Sequence, residues 1–313
     1  MRIVFAGTPE FAVPSLRALV DAGHDVVGVV TREDAPLGRK RVLTPSPVAQ
    51  AAADLGIPTL KANRLGTEAT DWVAERAPEL GVIVAYGGLI REPLLSGPKH
   101  GWINLHFSDL PRWRGAAPVQ RALMAGEQEL GVTVFRLVAA LDAGDVLTRD
   151  STEFTPGTSA GAALTELSAT GTAALLRAVD MLADDPDAGE PQVGEDTYAH
   201  KLSREDGLIS FGAGTSADAA LAHWSGVTPE PGAYAMLGDD PVKLTELRPL
   251  DERLAADLPA DLAPGEVRFV GKRAVVGCAG AIGLELARVQ PAGKPAMDGA
   301  AWLRGRDGKA DLA

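Results

Sequence analysis

An α/β domain built on a mostly parallel sheet, followed by a smaller β-rich domain with the short strands of a barrel, is the architecture this sequence predicts. Three observations predict it. Apolar strand-like runs alternate with helical patterns up to residue 183. The segment Asp184-Asp185-Pro186-Asp187-Ala188-Gly189-Glu190-Pro191 then mixes Pro, Gly and like charge, a composition that packs poorly. Beyond it the apolar runs are short and separated by turn residues, as in a small barrel. The expected limits are a first domain at 1–183, a linker at 184–202 and a second domain at 203–313. A length of 313 residues suits two domains better than one.

The elements follow in order. Arg2 to Ala6 reads as a buried strand, then the turn Gly7-Thr8-Pro9-Glu10 and a helix from about Pro14 to Ala22. Asp25 to Val30 is a second strand, followed by a polar, basic loop from Thr31 to Pro45. Ser46 and Pro47 open the next helix, which reaches about Leu55: a hydroxyl caps free N–H groups, and proline suits the first helical position. Thr67 to Arg76 is a third helix, Leu80 to Ala85 a central strand, and Trp102 to His106 continues the sheet. Pro118 to Ala125 reads as helix, Thr133 to Leu137 and Val146 to Arg149 as strands, and Ser159 to Ala183 as a long Ala/Leu-rich helix. In the last third, Ser216 to Trp224 is a short helix. Strands are expected at Ala233 to Leu237, Val242 to Leu247, Gly265 to Val270, Arg273 to Cys278 and Ile282 to Val289.

Composition excludes several classes. Hydrophobic content of 46% with 23% charged residues is that of a globular chain, not a disordered one. No apolar run has transmembrane length, and the start runs straight into a strand without a signal-peptide pattern, so a cytoplasmic protein without membrane contact is expected. The lone cysteine, Cys278, lies in an apolar run and reads as a core thiol. A net charge of −12 argues against a protein that coats nucleic acid nonspecifically. Residues 201–313 carry 13 Lys/Arg and 16 Asp/Glu, net −3, so most of the acidity sits before them. A polyanionic partner would be held by this less acidic part and by local basic clusters such as Arg39, Lys40 and Arg41. That run also suits a merely solvated loop.

The chemistry concentrates around Asn104-Leu105-His106. Residues two apart in a strand share a face, so Asn104 and His106 project together while Ile103 and Leu105 face apolar packing. Two polar side chains at the end of an apolar strand are costly to bury without partners. In open parallel sheets, ligands bind outside the carboxyl ends of strands. Asp142, on the Gly-containing loop Leu141 to Asp145, can fold over that edge. An amide and an imidazolium together can donate to an oxyanion, and a carboxylate can hold the imidazole in a chosen state. No Ser or Cys is set up as a nucleophile, which points to direct transfer between two bound substrates. The plainer reading makes Asn104 and His106 strand-end caps and Asp142 a turn residue. Tyr86, Gly87 and Gly88 form another turn at the cleft edge, where glycine admits a flat ligand or simply a turn. Gly7-Thr8-Pro9-Glu10 is not a dinucleotide fingerprint, and its proline lacks a donor. The histidines have no metal-ligand spacing and no CxxC exists, so no metal is expected.

These residues resemble those of the methionyl-tRNA formyltransferases, within the wider tetrahydrofolate-dependent formyltransferases, over nearly the whole length. The likeness runs from Met1 to Pro14 through Leu43-Thr44-Pro45-Ser46-Pro47-Val48, Ala85-Tyr86-Gly87 and Asn104 to Gln120. It continues with Gly131-Val132-Thr133, Leu141 to Asp145, Thr197-Tyr198-Ala199, Lys201, Pro231-Gly232-Ala233 and Leu303-Arg304-Gly305. The resemblance implies a Rossmann-like formyltransferase domain with a mostly parallel sheet, plus a C-terminal OB-like β-barrel domain that binds tRNA. It implies an enzyme that moves a formyl group from 10-formyltetrahydrofolate to the α-amino group of methionine on initiator tRNA, in translation initiation. By position, Asn104, His106 and Asp142 are then catalytic. Ser108, Asp109, Leu110 and Pro111, with Tyr86 and Gly87, are expected to hold the folate. Arg39 corresponds to a residue that reaches the tRNA acceptor end, with Lys40 and Arg41 beside it. A monomer is expected.

The chain departs from the family pattern at a few positions. Asp109 stands where Leu is usual; facing the pterin cleft it would perturb folate binding, facing solvent it would not. The loop Ala35-Pro36-Leu37-Gly38 is poorer in charge than the common form, Glu230 replaces a frequent aromatic, and Ile209-Ser210-Phe211 replaces a common Asp-Trp ending. The alternatives are a relative acting on a nucleotide-sugar or ribonucleotide amine, and a non-catalytic tRNA-binding protein.

Overall fold

The structure, a computed structural model, describes residues 1–38 and 40–312. Its contacts divide the chain into two compact units. The first comprises Met1–Pro118, Leu130–Thr152 and Leu164–Ala199; the second comprises Val119–Glu129, Glu153–Ala163 and His200–Ala313.

The first half of the first unit contains β1 (Arg2–Gly7), α1 (Val13–Asp21), β2 (Asp25–Thr31), β3 (Ala35–Leu37), β4 (Val42–Thr44), α2 (Pro47–Asp54), β5 (Thr59–Lys61), α3 (Thr67–Glu75) and β6 (Leu80–Val84). β7 (Trp102–His106), β8 (Arg114–Gly115), α4 (Pro118–Met124), β9 (Glu129–Arg136), β10 (Val146–Glu153), α5 (Ala160–Asp184) and β11 (Tyr198–Ala199) follow along the chain, α4 beyond Pro118 and the first residues of α5 belonging to the second unit. The main sheet has the order β10-β9-β7-β6-β1-β2-β5. The pairs β1–β2, β1–β6, β2–β5 and β6–β7 are parallel, and β9 runs antiparallel to β7. The chain leaves β1 toward β2 on one side and returns as β6 on the other. The carboxyl ends of β1 and β6 therefore meet, with Gly7 beside Val84. A crevice at such a switch point is the usual ligand site of this architecture.

Local chemistry accounts for the elements. Ile3, Val4, Phe5 and Ala6 of β1 are fully buried, as a strand covered on both faces requires. At the start of α2 the Ser46 hydroxyl accepts from the Ala49 N–H at 3.0 Å, with Pro47 in the first turn. Gly81 of β6 makes room for the Trp102 indole of β7, since a Cβ there would lie 2.1 Å from the ring. The indole N–H donates to the Leu94 carbonyl at 2.8 Å. Several short elements of this unit are not legible in the sequence: the edge strand β5, the hairpin of β3 with β4 inside the region read as loop, and the two-residue strands β8 and β11.

Within the expected linker at 184–202, Asp184 to Pro191 have a composition that packs poorly, yet the backbone of residues 186–199 is held to the first unit by polar partners. The Arg136 guanidinium donates to the Ala188 carbonyl at 2.7 Å and also to the Pro186 carbonyl. Val146 and Glu190 exchange two backbone hydrogen bonds, at 2.8 and 2.9 Å. β11 pairs in parallel with β8. Composition underestimates such a segment because its backbone carbonyls bind whatever the side chains are.

The second unit carries α6 (Ala217–Val227), β12 (Tyr234–Leu237), β13 (Asp240–Pro249), α7 (Glu252–Ala256), β14 (Glu266–Val270), β15 (Arg273–Cys278), β16 (Ile282–Pro291), β17 (Met297–Asp298), α8 (Gly299–Arg304) and β18 (Lys309–Asp311). Its sheet follows the order β12-β13-β16-β15-β14-β18, with β17 also on β16, and these neighbours pair antiparallel. This is an antiparallel half-barrel. Its core gathers Phe211, Leu221, Trp224, Leu244, Val276, Leu286 and Trp302. Cys278 lies in that core, and burial pushes its thiol up to about 11, so it stays protonated and unreactive at neutral pH. Among the described residues no helix is long and apolar enough to cross a membrane.

Candidate active site

β7 presents its two faces as the alternation predicts. Ile103 and Leu105 are 0% and 1% exposed, and Leu105 packs against α5 at Gly171. Asn104 and His106 therefore project from the face opposite α5. Asn104 is half-buried, and among the described residues no group hydrogen-bonds its side-chain amide. An amide left unpaired at the carboxyl end of a buried strand is available to a ligand.

His106 is buried at 7% exposure, and its ring stands edge-on to Phe135. Its Nε2 lies 2.9 Å from the Trp113 carbonyl oxygen. A carbonyl only accepts, so Nε2 carries a proton and donates. The nitrogen that remains for proton exchange is Nδ1.

Asp142 is buried at 8% exposure, with its backbone in the left-handed region at φ 47°. Its Oδ2 accepts from the Gly115 N–H at 2.8 Å. No ion pair between His106 and Asp142 occurs among the described residues. The two are joined through one turn instead: His106 holds the Trp113 carbonyl and Asp142 holds the Gly115 N–H. Trp113 sits at φ 59° and Gly115 at φ 115°, and a Cβ added to Gly115 would lie 2.9 Å from the Ala199 carbonyl oxygen. The Trp113 N–H donates to the Thr197 hydroxyl at 2.8 Å, which holds the turn from the other side.

The stretch Ser108 to Pro111 is anchored from β9. Thr133, fully buried, donates its hydroxyl to the Ser108 carbonyl at 2.7 Å and accepts from the Leu110 N–H at 3.2 Å. The Ser108 hydroxyl donates to the Arg112 carbonyl at 2.7 Å. Ser108 is 3% exposed and Leu110 1%, so these side chains face inward. Asp109 faces solvent, its side chain 65% exposed and 3.4 Å from the Arg149 guanidinium. The Asp-for-Leu departure is thus accommodated at the surface. Arg149 also donates to the Leu110 carbonyl at 2.6 Å.

Tyr86 differs from its expected place. Its ring is 1% exposed and its hydroxyl donates to the Ala62 carbonyl at 2.5 Å, and burial raises its pKa. The side chain is a core anchor, and only the backbone of Tyr86 and Gly87 remains to meet a ligand. The reason is geometric: an aromatic ring following a buried strand folds under the sheet edge to fill it. Thr8 ties this turn to the end of β1 by donating to the Tyr86 carbonyl at 2.9 Å.

Lys40 and Arg41 lie exposed at the turn between β3 and β4, and Arg39 lies outside the described residues. Leu37, Val42 and Leu43 on the same hairpin are 66%, 59% and 67% exposed. Among the described residues no group of His, Cys, Asp and Glu is arranged to hold a metal. A cavity of about 200 Å³ in the second unit, bordered by Leu123, Phe154 and Leu221, shares no residue with Asn104, His106 or Asp142.

Comparison with known proteins decides the family. Residues 1–179 match the formyl transferase model and residues 201–307 match the formyl transferase C-terminal domain. A methionyl-tRNA formyltransferase of Leifsonia xyli subsp. xyli is 51% identical over 313 residues, covering all of both chains. The chain belongs to the methionyl-tRNA formyltransferase family. A second relative of that name, from Clavibacter michiganensis subsp. michiganensis, is 52% identical over 305 residues, 97% of each chain. Among solved structures, HypX from Aquifex aeolicus in complex with tetrahydrofolic acid superposes on this formyltransferase with a TM-score of 0.67 at 17% identity. That match covers 97% of this chain and 47% of HypX, a likeness of fold. The residues that sequence reasoning passed over are Thr133, Trp113, Arg114, Gln192 and Thr197. All but Gln192 stand in stretches that carried the family resemblance, but nothing local shows which groups they reach.

Proposed function

We propose that this formyltransferase moves the formyl group of 10-formyltetrahydrofolate to the α-amino group of methionine on initiator tRNA. The observation that carries the reading is the unpartnered, half-buried Asn104 amide beside His106 on one face of β7. The neutral amine attacks the formyl carbon, and the carbonyl oxygen gains negative charge. The Asn104 N–H donates to it, and His106, beside Asn104 on the same face of β7, offers Nδ1 to the reacting groups. One preorganised donor of this kind is typically worth ~10²–10³ in rate. The new N–C bond forms, the bond from the formyl carbon to the folate nitrogen breaks, and the amine proton ends on that nitrogen. Asp142 guides this proton transfer, a role typically worth ~10²–10⁴.

The folate is held along Ser108 to Pro111 and the backbone of Tyr86 and Gly87, where peptide groups can pair with the polar edge of a flat ring. The residues fit such a co-substrate: the Asn104 amide has no protein partner among the described residues, and Gly87, at φ 80°, is the next residue beyond the Thr8–Tyr86 bond. Arg39, Lys40 and Arg41 contact the tRNA phosphates. One chain acts alone, in the cytoplasm.

The test is formylation of methionyl initiator tRNA by wild type, Asn104→Ala and His106→Ala, with nucleotide-sugar amines as competing acceptors. Activity on the tRNA that falls by at least ~10²-fold in both variants while tRNA binding persists is expected. Activity confined to a small amine would overturn the acceptor, and full activity of both variants would overturn the site.

A further inference from the structure

Asp142 takes a left-handed backbone conformation at φ 47° within the loop between β9 and β10, a region that aspartate visits more readily than most residues but that still needs support to persist. The structure shows what supplies it. The Gln192 side-chain NH2 donates to the Asp142 carbonyl and to the Gly144 carbonyl, each at 2.9 Å. Its oxygen accepts twice from Arg114, from Nη2 at 2.6 Å and Nε at 3.2 Å. All four hydrogen-bonding positions of the amide are used. Reversing the amide would set its NH2 against the guanidinium and its oxygen against two carbonyls, so its orientation follows from chemistry. Arg114 is held in turn by Asp196 at 3.2 Å and by its own N–H on the Thr197 carbonyl at 2.8 Å. The next N–H along the chain, that of Gly115, is the one that binds the Asp142 carboxylate. Gln192 and Gly115 thus grip Asp142 at its main chain and its side chain, and Arg114 links the two grips.

We propose that Gln192 is a positioning residue for Asp142, so that the segment with a linker's composition belongs to the catalytic apparatus. The proposal rests on the reading that Asp142 is catalytic. Gln192 touches neither substrate. It holds the Asp142 main chain in the one conformation from which the carboxylate meets both the Gly115 N–H and the transferring proton. Misplacement of a reacting group by about 1 Å typically costs ~10²-fold in rate.

The experiment is steady-state formyl transfer to methionyl initiator tRNA by Gln192→Met, Gln192→Glu, Asp142→Ala and the double variant Gln192→Met/Asp142→Ala. Gln192→Glu keeps the size and both bonds from Arg114 but offers oxygen to the two carbonyls, so the segment stays docked if Gln192→Met proves unstable. Expected for each Gln192 variant is a kcat lowered ~10–100-fold with both KM values within ~2-fold of wild type. In the Asp142→Ala background the second substitution should cost no further activity, because the residue it positions is gone. Unchanged kcat in Gln192→Glu, or losses that multiply in the double variant, would overturn the proposal. Full activity of Asp142→Ala would instead overturn the reading on which it rests, so the two failures are distinguishable.

Discussion

Replacing Thr133 with Val isolates the anchor beneath Ser108 to Pro111, the stretch proposed to hold the folate. Valine matches threonine in shape and suits a strand, so no cavity forms and β9 keeps its preference. What disappears is one hydroxyl with two bonds, to the Ser108 carbonyl at 2.7 Å and from the Leu110 N–H at 3.2 Å. Both residues are buried, so water cannot replace the lost partner. A buried polar group left unpaired costs about 1–3 kcal/mol. The longer bond belongs at the low end of that range, so about 3 kcal/mol in total is expected. For a unit of this size, each kcal/mol lowers the melting temperature by about 2–4 °C, giving a fall of ~6–12 °C. Thr133→Ser is the control, since it keeps the hydroxyl and loses only a methyl group. Scanning calorimetry of the three proteins reads the first effect. The KM for 10-formyltetrahydrofolate reads the second, a rise of about 10-fold in Thr133→Val as Ser108 to Pro111 loosens, equivalent to ~1.4 kcal/mol. A Thr133→Val protein that melts within about 2 °C of Thr133→Ser, roughly one kcal/mol or less, would refute the argument that this hydroxyl carries the stretch.

Two further outcomes are expected. At Gly144 a Cβ would lie 1.8 Å from the Arg136 carbonyl oxygen, so Gly144→Ala must displace the loop that carries Asp142. Formyl transfer should fall by ~10² or more, while tRNA binding measured by filter retention stays within ~2-fold. In the second unit, Asp206 accepts from the Ser203 N–H at 2.7 Å and hydroxyl at 2.9 Å, and pairs with Arg121 at 3.1 Å. The Ser203 N–H, then its hydroxyl and Arg121, hold the Asp206 pKa below the ordinary carboxylate value. A depressed carboxylate stabilises the fold above its unfolded pKa and loses that contribution as pH falls through the folded one. Asp206→Ala should therefore cost about 1 kcal/mol at neutral pH. The gap to wild type should close in melts below about pH 4. A gap that persists at low pH would assign the loss to packing instead.

Periodicity and punctuation make most of the first unit readable from sequence. The strands Arg2 to Ala6 and Trp102 to His106, and the helix opened by Ser46 and Pro47, lie within a residue or so of where apolar spacing and capping chemistry put them. β5 escapes notice because three residues at a sheet edge carry no period long enough to count. The pairing of Asn104 with His106 is legible for the same reason as the strands, since alternation along a strand is a property of the backbone alone. The solvent-facing side chain of Asp109 and the buried ring of Tyr86 are not, because both depend on which neighbour fills the space beside them.

By itself, then, the sequence determined the strand that carries Asn104 and His106, the loop that carries Asp142, and the family resemblance. Only the tertiary structure decided how these residues are held. His106 and Asp142 meet through the Trp113–Gly115 turn, Thr133 grips Ser108 to Pro111 from β9, and Gln192 reaches Asp142 across 50 residues of chain. The physical reason is that local spacing encodes which face a side chain takes. Which distant carbonyl an amide or hydroxyl finds depends on the path of the whole chain, and backbone groups look alike in every sequence.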